Sequence, residues 1–325
     1  MHPMNGPAVE PLEARALLSA TIQFPVPAPL DVSRLAGPEA EESIAVDPTN
    51  PKRLFVAANR TGGSLFGASS SDAGATWTGR EFATGMDGLP RACCDPSAAY
   101  DSFGNLFFAY LNAVNGRIEM LVSTDNGQNF TYLTEFGSEG DQPTVATGPG
   151  TVWVAFQRED SGAIAYKAKV NGLGGVGKFK SQRIIGGEGQ NIGDIAIGPA
   201  GQVLVGYQVS GGNPEGASTI VTQLDPDGTG PRHFGKQSVV GNTNVGDFDK
   251  IPAQVRRSID AEVGLAYDRS GGPYTGRAYM VYTDESPDES NNTDIFLRYS
   301  DNDGQSWSPP VRVNDDSTVN SQFFP

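Results

Sequence analysis

From residue 43 onward one arrangement of polar and apolar positions recurs. A small or polar residue opens it, a short alternating apolar run follows, then a turn, then a second apolar run that ends on an aromatic in the later copies. Ser43-Ile44-Ala45-Val46-Asp47 is followed by Leu54-Phe55-Val56-Ala57, and Ser97-Ala98-Ala99-Tyr100-Asp101 by Leu106-Phe107-Phe108-Ala109-Tyr110. Three further copies pair Thr144-Val145-Ala146 with Val152 to Phe156, Asp194-Ile195-Ala196-Ile197 with Val203 to Tyr207, and Gly264 to Asp268 with Ala278 to Tyr282. Their starts at 43, 97, 144, 194 and 264 lie 54, 47, 50 and 70 residues apart, a period near 50 with one long insertion. Each start reads as a short strand turned back on the next by Asp, Gly, Asn or Pro, which is hairpin chemistry. Alternating runs such as Ile118 to Val122, Ala163 to Lys167 and Asp294 to Tyr299 supply further strands. Four short strands in about 50 residues is the arithmetic of a β-propeller blade. The predicted fold is therefore all-β, with Ala45, Ala98, Ala146, Ala196 and Ala266 at equivalent places on crowded inner strands.

Composition agrees with many tight turns: of 325 residues, 41 are Gly and 23 Pro, which leaves little room for long helices. With 38% hydrophobic and 19% charged residues the chain is too apolar for disorder. Its net charge of −15, with basic residues scattered, excludes nucleic acid as a ligand and reads first as a solubilising surface. No stretch approaches the ~20 apolar residues of a membrane span.

The two cysteines, Cys93 and Cys94, are adjacent, and the histidines are His2 and His233, so neither a disulfide framework nor a His/Cys metal site is expected. The pair is either two packed thiols or an adjacent-residue disulfide. The turn stretches Asp225-Pro226-Asp227-Gly228 and Asp301-Asn302-Asp303-Gly304 lack a complete calcium loop and read as turns. No cofactor is implied.

A sharper pattern lies between strands. Ser70-Ser71-Asp72-Ala73-Gly74-Ala75-Thr76-Trp77, Ser123-Thr124-Asp125-Asn126-Gly127-Gln128-Asn129-Phe130 and Ser300-Asp301-Asn302-Asp303-Gly304-Gln305-Ser306-Trp307 share one spacing. The carboxylate or amide caps the turn, the glycine takes a positive φ, and the aromatic anchors the outer strand. These copies match the Asp box, the bacterial neuraminidase repeat, and over residues 43–325 the chain resembles the sialidase-like β-propellers. The resemblance implies six blades; five starts are visible, so the reading is a propeller truncated before its last blade. The alternative is a closed five-bladed ring completed by Ile22 to Val26. Residues 1–42 form a separate segment in which Pro11 to Ala20 resembles the Leu-Glu-Pro-Arg-x-Leu-Leu type segment of large exported bacterial proteins. That resemblance implies an extracellular or cell-surface location; a disordered tail is the alternative.

The Asp-box turns occupy one face of such a propeller, so a binding site belongs on the other. The loops expected there hold Arg60, Arg91, Asp95, Asp141, Gln142, Arg158, Glu159, Asp160, Asp194, Asp260, Glu262, Asp284 and Glu285. Of these, Arg60, Arg91, Asp95, Asp141, Arg158, Asp194 and Asp260 are the candidate ligand-binding residues, the arginines as a set suited to a carboxylate. The resemblance implies a sialidase with three arginines, a Tyr-Glu nucleophile and an Asp acid/base. The family's Phe/Tyr-Arg-Ile-Pro segment is absent, however, and Leu30 to Glu42 offers only Arg34. No catalytic residue is therefore carried over. The expected function is recognition of a glycan or protein ligand; the alternatives are an exo-α-sialidase-type glycoside hydrolase and a structural spacer.

Overall fold

A computed structural model describes residues 29–137, 139–158, 162–184, 190–211, 216–246, 249–254, 256–286 and 292–325. The chain divides into Met1–Val32 and Ser33–Pro325, and every described strand belongs to the second unit. The export-like stretch at 11–20 and Ile22 to Val26 lie outside the described residues, as do Glu159 and Asp160.

Among the described residues twenty strands form five four-stranded antiparallel sheets, each in sequence order, and together they make a β-propeller. Blade one is β1 (Glu39–Val46), β2 (Leu54–Arg60), β3 (Ser64–Ser70) and β4 (Thr78–Phe82). Blade two is β5 (Ala92–Tyr100), β6 (Leu106–Asn112), β7 (Ile118–Ser123) and β8 (Thr131–Phe136). Blade three runs β9 (Gly140–Gly148), β10 (Thr151–Arg158), β11 (Gly162–Lys169) and β12 (Lys180–Arg183). Blade four is β13 (Gln190–Ile197), β14 (Val203–Val209), β15 (Ser218–Asp225) and β16 (Ser238–Thr243); blade five is β17 (Gly264–Tyr267), β18 (Ala278–Asp284), β19 (Asp294–Ser300) and β20 (Val311–Arg312).

The core lies between blades. Second strands such as β6 and β10 are covered on both faces, so they read as continuous apolar runs instead of alternating. Phe55 and Phe82 of blade one interlock with Phe108 and Phe130 of blade two at centroid separations of 5.3–5.8 Å. Outermost strands are short and polar, as in the Thr-Gly-Arg-Glu-Phe of β4, which suits a sheet edge facing water.

The residues that open the sequence repeat also join the blades. Ser43 Oγ accepts the Ala98 N–H at 3.0 Å, Ser97 Oγ accepts that of Val145 at 2.9 Å, and Asp194 Oδ2 that of Leu265 at 2.8 Å. In these three places one side chain satisfies a backbone donor of the next inner strand, and between blades three and four Thr144 Oγ1 donates to the Gly193 carbonyl at 3.5 Å. The equivalent residue of blade five, Gly264, has no side chain with which to continue the series.

The turns β3–β4, β7–β8 and β19–β20 share one hydrogen-bond pattern. Ser70, Ser123 and Ser300 each accept, at Oγ, the N–H of the glycine four residues on at 2.9 Å. Asp72, Asp125 and Asn302 each accept the N–H four residues on at 2.8–2.9 Å. Hydrogen bonds from Thr76 and Ser70 hold the exposed Asp72 carboxyl down to about 2. Blade four uses a different device: buried Lys167 of blade three donates to the Gly228 carbonyl, lies 3.4 Å from Asp225 and sits over the Trp153 ring. Cys93 and Cys94 are joined to each other as an adjacent-residue disulfide.

Candidate functional site

On the face opposite those turns, the inner strands begin with an irregularity. Pairing slips between Ala40 and Ser43, between Cys94 and Ser97, and beside Gln142 and Pro143 in β9, each a β-bulge. The residue two before the repeat start takes a left-handed backbone in four blades: Glu41 (φ 56°), Asp95 (57°), Gln142 (48°) and Glu262 (46°). Such a conformation is costly for a residue with a side chain and is sustained where surrounding structure fixes it. Here side chains and backbone of successive blades do so. Glu41 Oε2 accepts the Asp95 N–H at 3.0 Å, and Asp95 Oδ2 in turn accepts the Gln142 N–H at 3.4 Å. On the other side Asn191 donates to Asp260, whose Oδ1 accepts the Glu262 N–H at 2.9 Å.

These bulges line one cavity of about 1120 Å³, with Lys250, Gln254 and residues 256–260 as further lining. The segment that carries them is pinned by reciprocal Asp249–Ile259 backbone bonds of 2.8 and 2.7 Å, and by packing of Val245, Ile251 and Ile259 against Phe323. It brings Lys250, Arg256 and Arg257 to the cavity that Glu41, Asp95 and Glu262 also line.

The carboxyl groups do not behave as isolated surface acids. Burial, with the Glu41 and Asp141 carboxyls hydrogen-bonded beside it, pushes Asp95 up to about 8. Burial and the neighbouring Asp260 push Glu262 up to about 8 as well. Closely spaced carboxyls share protons because they cannot all ionise together. With their pKa values raised in this way, Asp95 and Glu262 can supply carboxyl O–H donors beside the acceptor oxygens of Glu41 and Asp260, and Lys250, Arg256 and Arg257 line the same cavity. Such a mixed set is suited to ligands whose groups both donate and accept. Among the described residues no group of three or more His, Cys, Asp and Glu side chains is arranged to hold a metal ion.

Of the candidate residues, Asp95 and Asp260 line the cavity and Asp141 is hydrogen-bonded to Asp95. The arginines are not brought together there. Arg60 is held by Glu39 at 3.2 Å and Glu81 at 3.0 Å, and Arg91 donates to the carbonyls of Gly62 (2.5 Å) and Gly63 (3.2 Å). Arg158 ends β10 opposite Gly140 and Gly162. Asp194 is taken up by the blade-to-blade bond to Leu265. Asp284 accepts from the Asn244 N–H at 2.8 Å and supports that loop.

Sequence reasoning passed over Glu41, because it lies before the first repeat, and Lys250, Arg256 and Arg257, because they lie in the insertion. A signal for Glu41 exists: aligning the repeat starts puts Glu41, Asp95, Gln142 and Glu262 in one column.

Structural comparison finds the same architecture in α-L-arabinofuranosidase Arb93A of Fusarium graminearum bound to an iminosugar inhibitor, with a TM-score of 0.54, 13% identity, and 83% of this chain and 79% of that chain covered. The fold is shared; the sequence is not. A variant of AofleA from Arthrobotrys oligospora matches with a TM-score of 0.52, 13% identity, and 87% and 73% coverage. The Hadza microbial sialidase Hz136 matches at 0.49, with 13% identity and 87% and 62% coverage. No protein-family model and no curated protein matches the chain. No helix among the described residues is long and apolar enough to cross a membrane.

Proposed function

We propose that this chain is a glycan-binding propeller that takes its ligand in the axial funnel. The observation that carries the reading is the convergence of Glu41, Asp95, Gln142, Asp260 and Glu262 on one cavity of about 1120 Å³, at positions fixed by inner-strand bulges. A saccharide presents vicinal hydroxyls that donate and accept at once, and carboxyl O–H donors at Asp95 and Glu262 beside the acceptor oxygens of Glu41 and Asp260 answer both demands. Lys250, Arg256 and Arg257 extend the site toward sugars carrying a carboxylate. We read the three Ser-x-Asp/Asn-x-Gly turns as Asp boxes that hold the opposite face. We read residues 1–42 as an export-associated segment preceding a propeller domain at 43–325, which makes the protein extracellular. The likeness to an arabinofuranosidase is one of fold and selects no sugar.

A glycan array probed with the full chain, followed by calorimetric titration of the best ligand, tests the proposal. Asp95→Ala and Glu262→Ala are each expected to weaken binding by about two- to tenfold, the scale of one lost hydrogen bond between neutral groups. Saturable binding that both substitutions leave intact, or no binding to any glycan class, overturns it.

One feature favours a second reading, glycoside hydrolysis: burial, with Glu41 and Asp141 beside it, raises Asp95 to about 8, the direction a general acid needs. Fluorogenic sialosides and arabinofuranosides separate the two. Asp95→Asn retains a hydrogen-bond donor but has no proton to transfer, so turnover abolished with binding kept identifies an enzyme, and absence of turnover leaves a binding module.

A further inference from the structure

A second cavity, of about 470 Å³, opens between blades four and five on the side away from the funnel. Leu204, Leu224 and Pro226 line it from blade four, and the turn at Asp303 to Gln305 lines it from blade five. Its existence follows from side-chain size. The corresponding wedge between blades one and two is filled by Phe55, the second residue of β2, and by Phe82, the register partner of Leu65. In blade four the second residue of β14 is Leu204, and the residue paired with Ile220 is Gly241. Two phenyl rings are thus replaced by an isobutyl group and a hydrogen. The guanidinium of Arg298 packs against Gly241 and leaves the space beside Leu204 and Leu224 unfilled.

The mouth of this cavity is basic in a chain of net charge −15. Arg232, His233 and Lys236, from the connection between β15 and β16, all line it. His233 is oriented by a 2.5 Å contact between its Nδ1 and Gln182 Oε1. Arg232 and Lys236 are exposed, and among the described residues neither side chain has an ion-pair partner. The acid on the opposite wall, Asp303, is occupied: its Oδ1 accepts from Gln202 at 2.9 Å and from the Tyr267 hydroxyl at 3.2 Å. Unpaired cations above an apolar floor make a site with two requirements, an anionic head and an apolar body.

We infer that this inter-blade cavity is a binding site for a small organic carboxylate with an apolar body, held at its head by Arg232 and Lys236 and along its body by Leu204 and Leu224. The site is independent of the funnel and of what the funnel binds.

Titration calorimetry of the full chain with 4-phenylbutyrate tests the inference. The expected result is one saturable site, binding at least about tenfold weaker in the double variant Arg232→Gln/Lys236→Gln, and no binding in Leu204→Phe, which restores the ring that blade one carries. The charge variant alters only exposed side chains, so its result stands whether or not the filled-cavity variant folds. 4-Phenylbutanol, which lacks the anionic head, is expected to bind at least about tenfold more weakly than the acid. Absence of saturable binding, equal binding of acid and alcohol, or indifference to the charge variant overturns the assignment.

Discussion

Asp194 shows how much one side chain carries in this fold. Its two oxygens accept the N–H groups of Ile195 at 2.7 Å and Leu265 at 2.8 Å, so a single carboxyl fastens blade four to blade five. Burial outweighs those bonds and pushes the group up to about 7. The native state therefore holds a proton between about pH 4 and 7 that the unfolded chain has already released, and stability must fall as pH rises through that window. The slope for one such group is at most about 1.4 kcal/mol per pH unit. Asp194→Asn keeps an acceptor but does not titrate. Urea unfolding from pH 4 to 8 is expected to show the wild-type chain losing stability relative to the variant as pH rises, with the difference level above pH 7. A difference that does not change with pH removes Asp194 as the cause. This bond was hidden in the sequence: Asp194 stands where Ser43, Ser97 and Thr144 stand and reads as one more polar repeat opener, and only the neighbouring inner strand shows what that column is for.

The strands and turns were the most legible elements, because their signals are local. Two-residue alternation, turn residues at fixed offsets and the Ser-x-Asp-x-Gly spacing all act within about ten residues, and each blade repeats them. The glycine of that spacing carries two constraints at once. Gly127 has φ +80°, and a Cβ there would overlap the Phe55 ring of the neighbouring blade. Gly88 has a similar φ of +85° but nothing within 4 Å of the added atom. Gly88→Ala is therefore expected to cost about 1 kcal/mol for the left-handed backbone alone. Gly127→Ala should cost about 2–4 kcal/mol, because overpacking against an inter-blade aromatic layer adds to the strain. Equal losses in denaturant unfolding would mean that the turn, and not the packing between blades, sets the requirement for glycine. Lys167 illustrates what local signals miss. It lies within an alternating apolar run of blade three, yet its ammonium joins that blade to the Gly228 carbonyl and Asp225 of blade four.

The funnel belongs to the whole molecule, since Glu41, Asp95 and Gln142 come from three blades and Asp260 and Glu262 from the approach to a fifth. No stretch of sequence contains it. The residues meet because strands about 50 positions apart are brought into register, so the site was legible as a face and a set of loops but not as a constellation. Its chemistry is likewise collective: burial raises the Asp95 and Glu262 carboxyls, and Glu41 and Asp141 beside the first and Asp260 beside the second raise them further. A ligand that takes a hydrogen bond from either protonated carboxyl must therefore bind more weakly as pH rises through about 8, where donors become charges and the cavity turns more negative. Above that point the apparent Kd should climb roughly tenfold per pH unit for each donor the ligand requires. Asp95→Asn supplies a donor at every pH and is expected to abolish one step of that dependence. The funnel exists only when the blades are assembled, so saturating glycan should also stabilise the whole propeller against unfolding, by about 2.7 kcal/mol at a hundredfold excess over Kd. Calorimetric titration between pH 6 and 9.5, paired with urea unfolding with and without ligand, reads both effects. A flat pH profile in the wild-type chain excludes the shared protons from binding, whatever ligand is found.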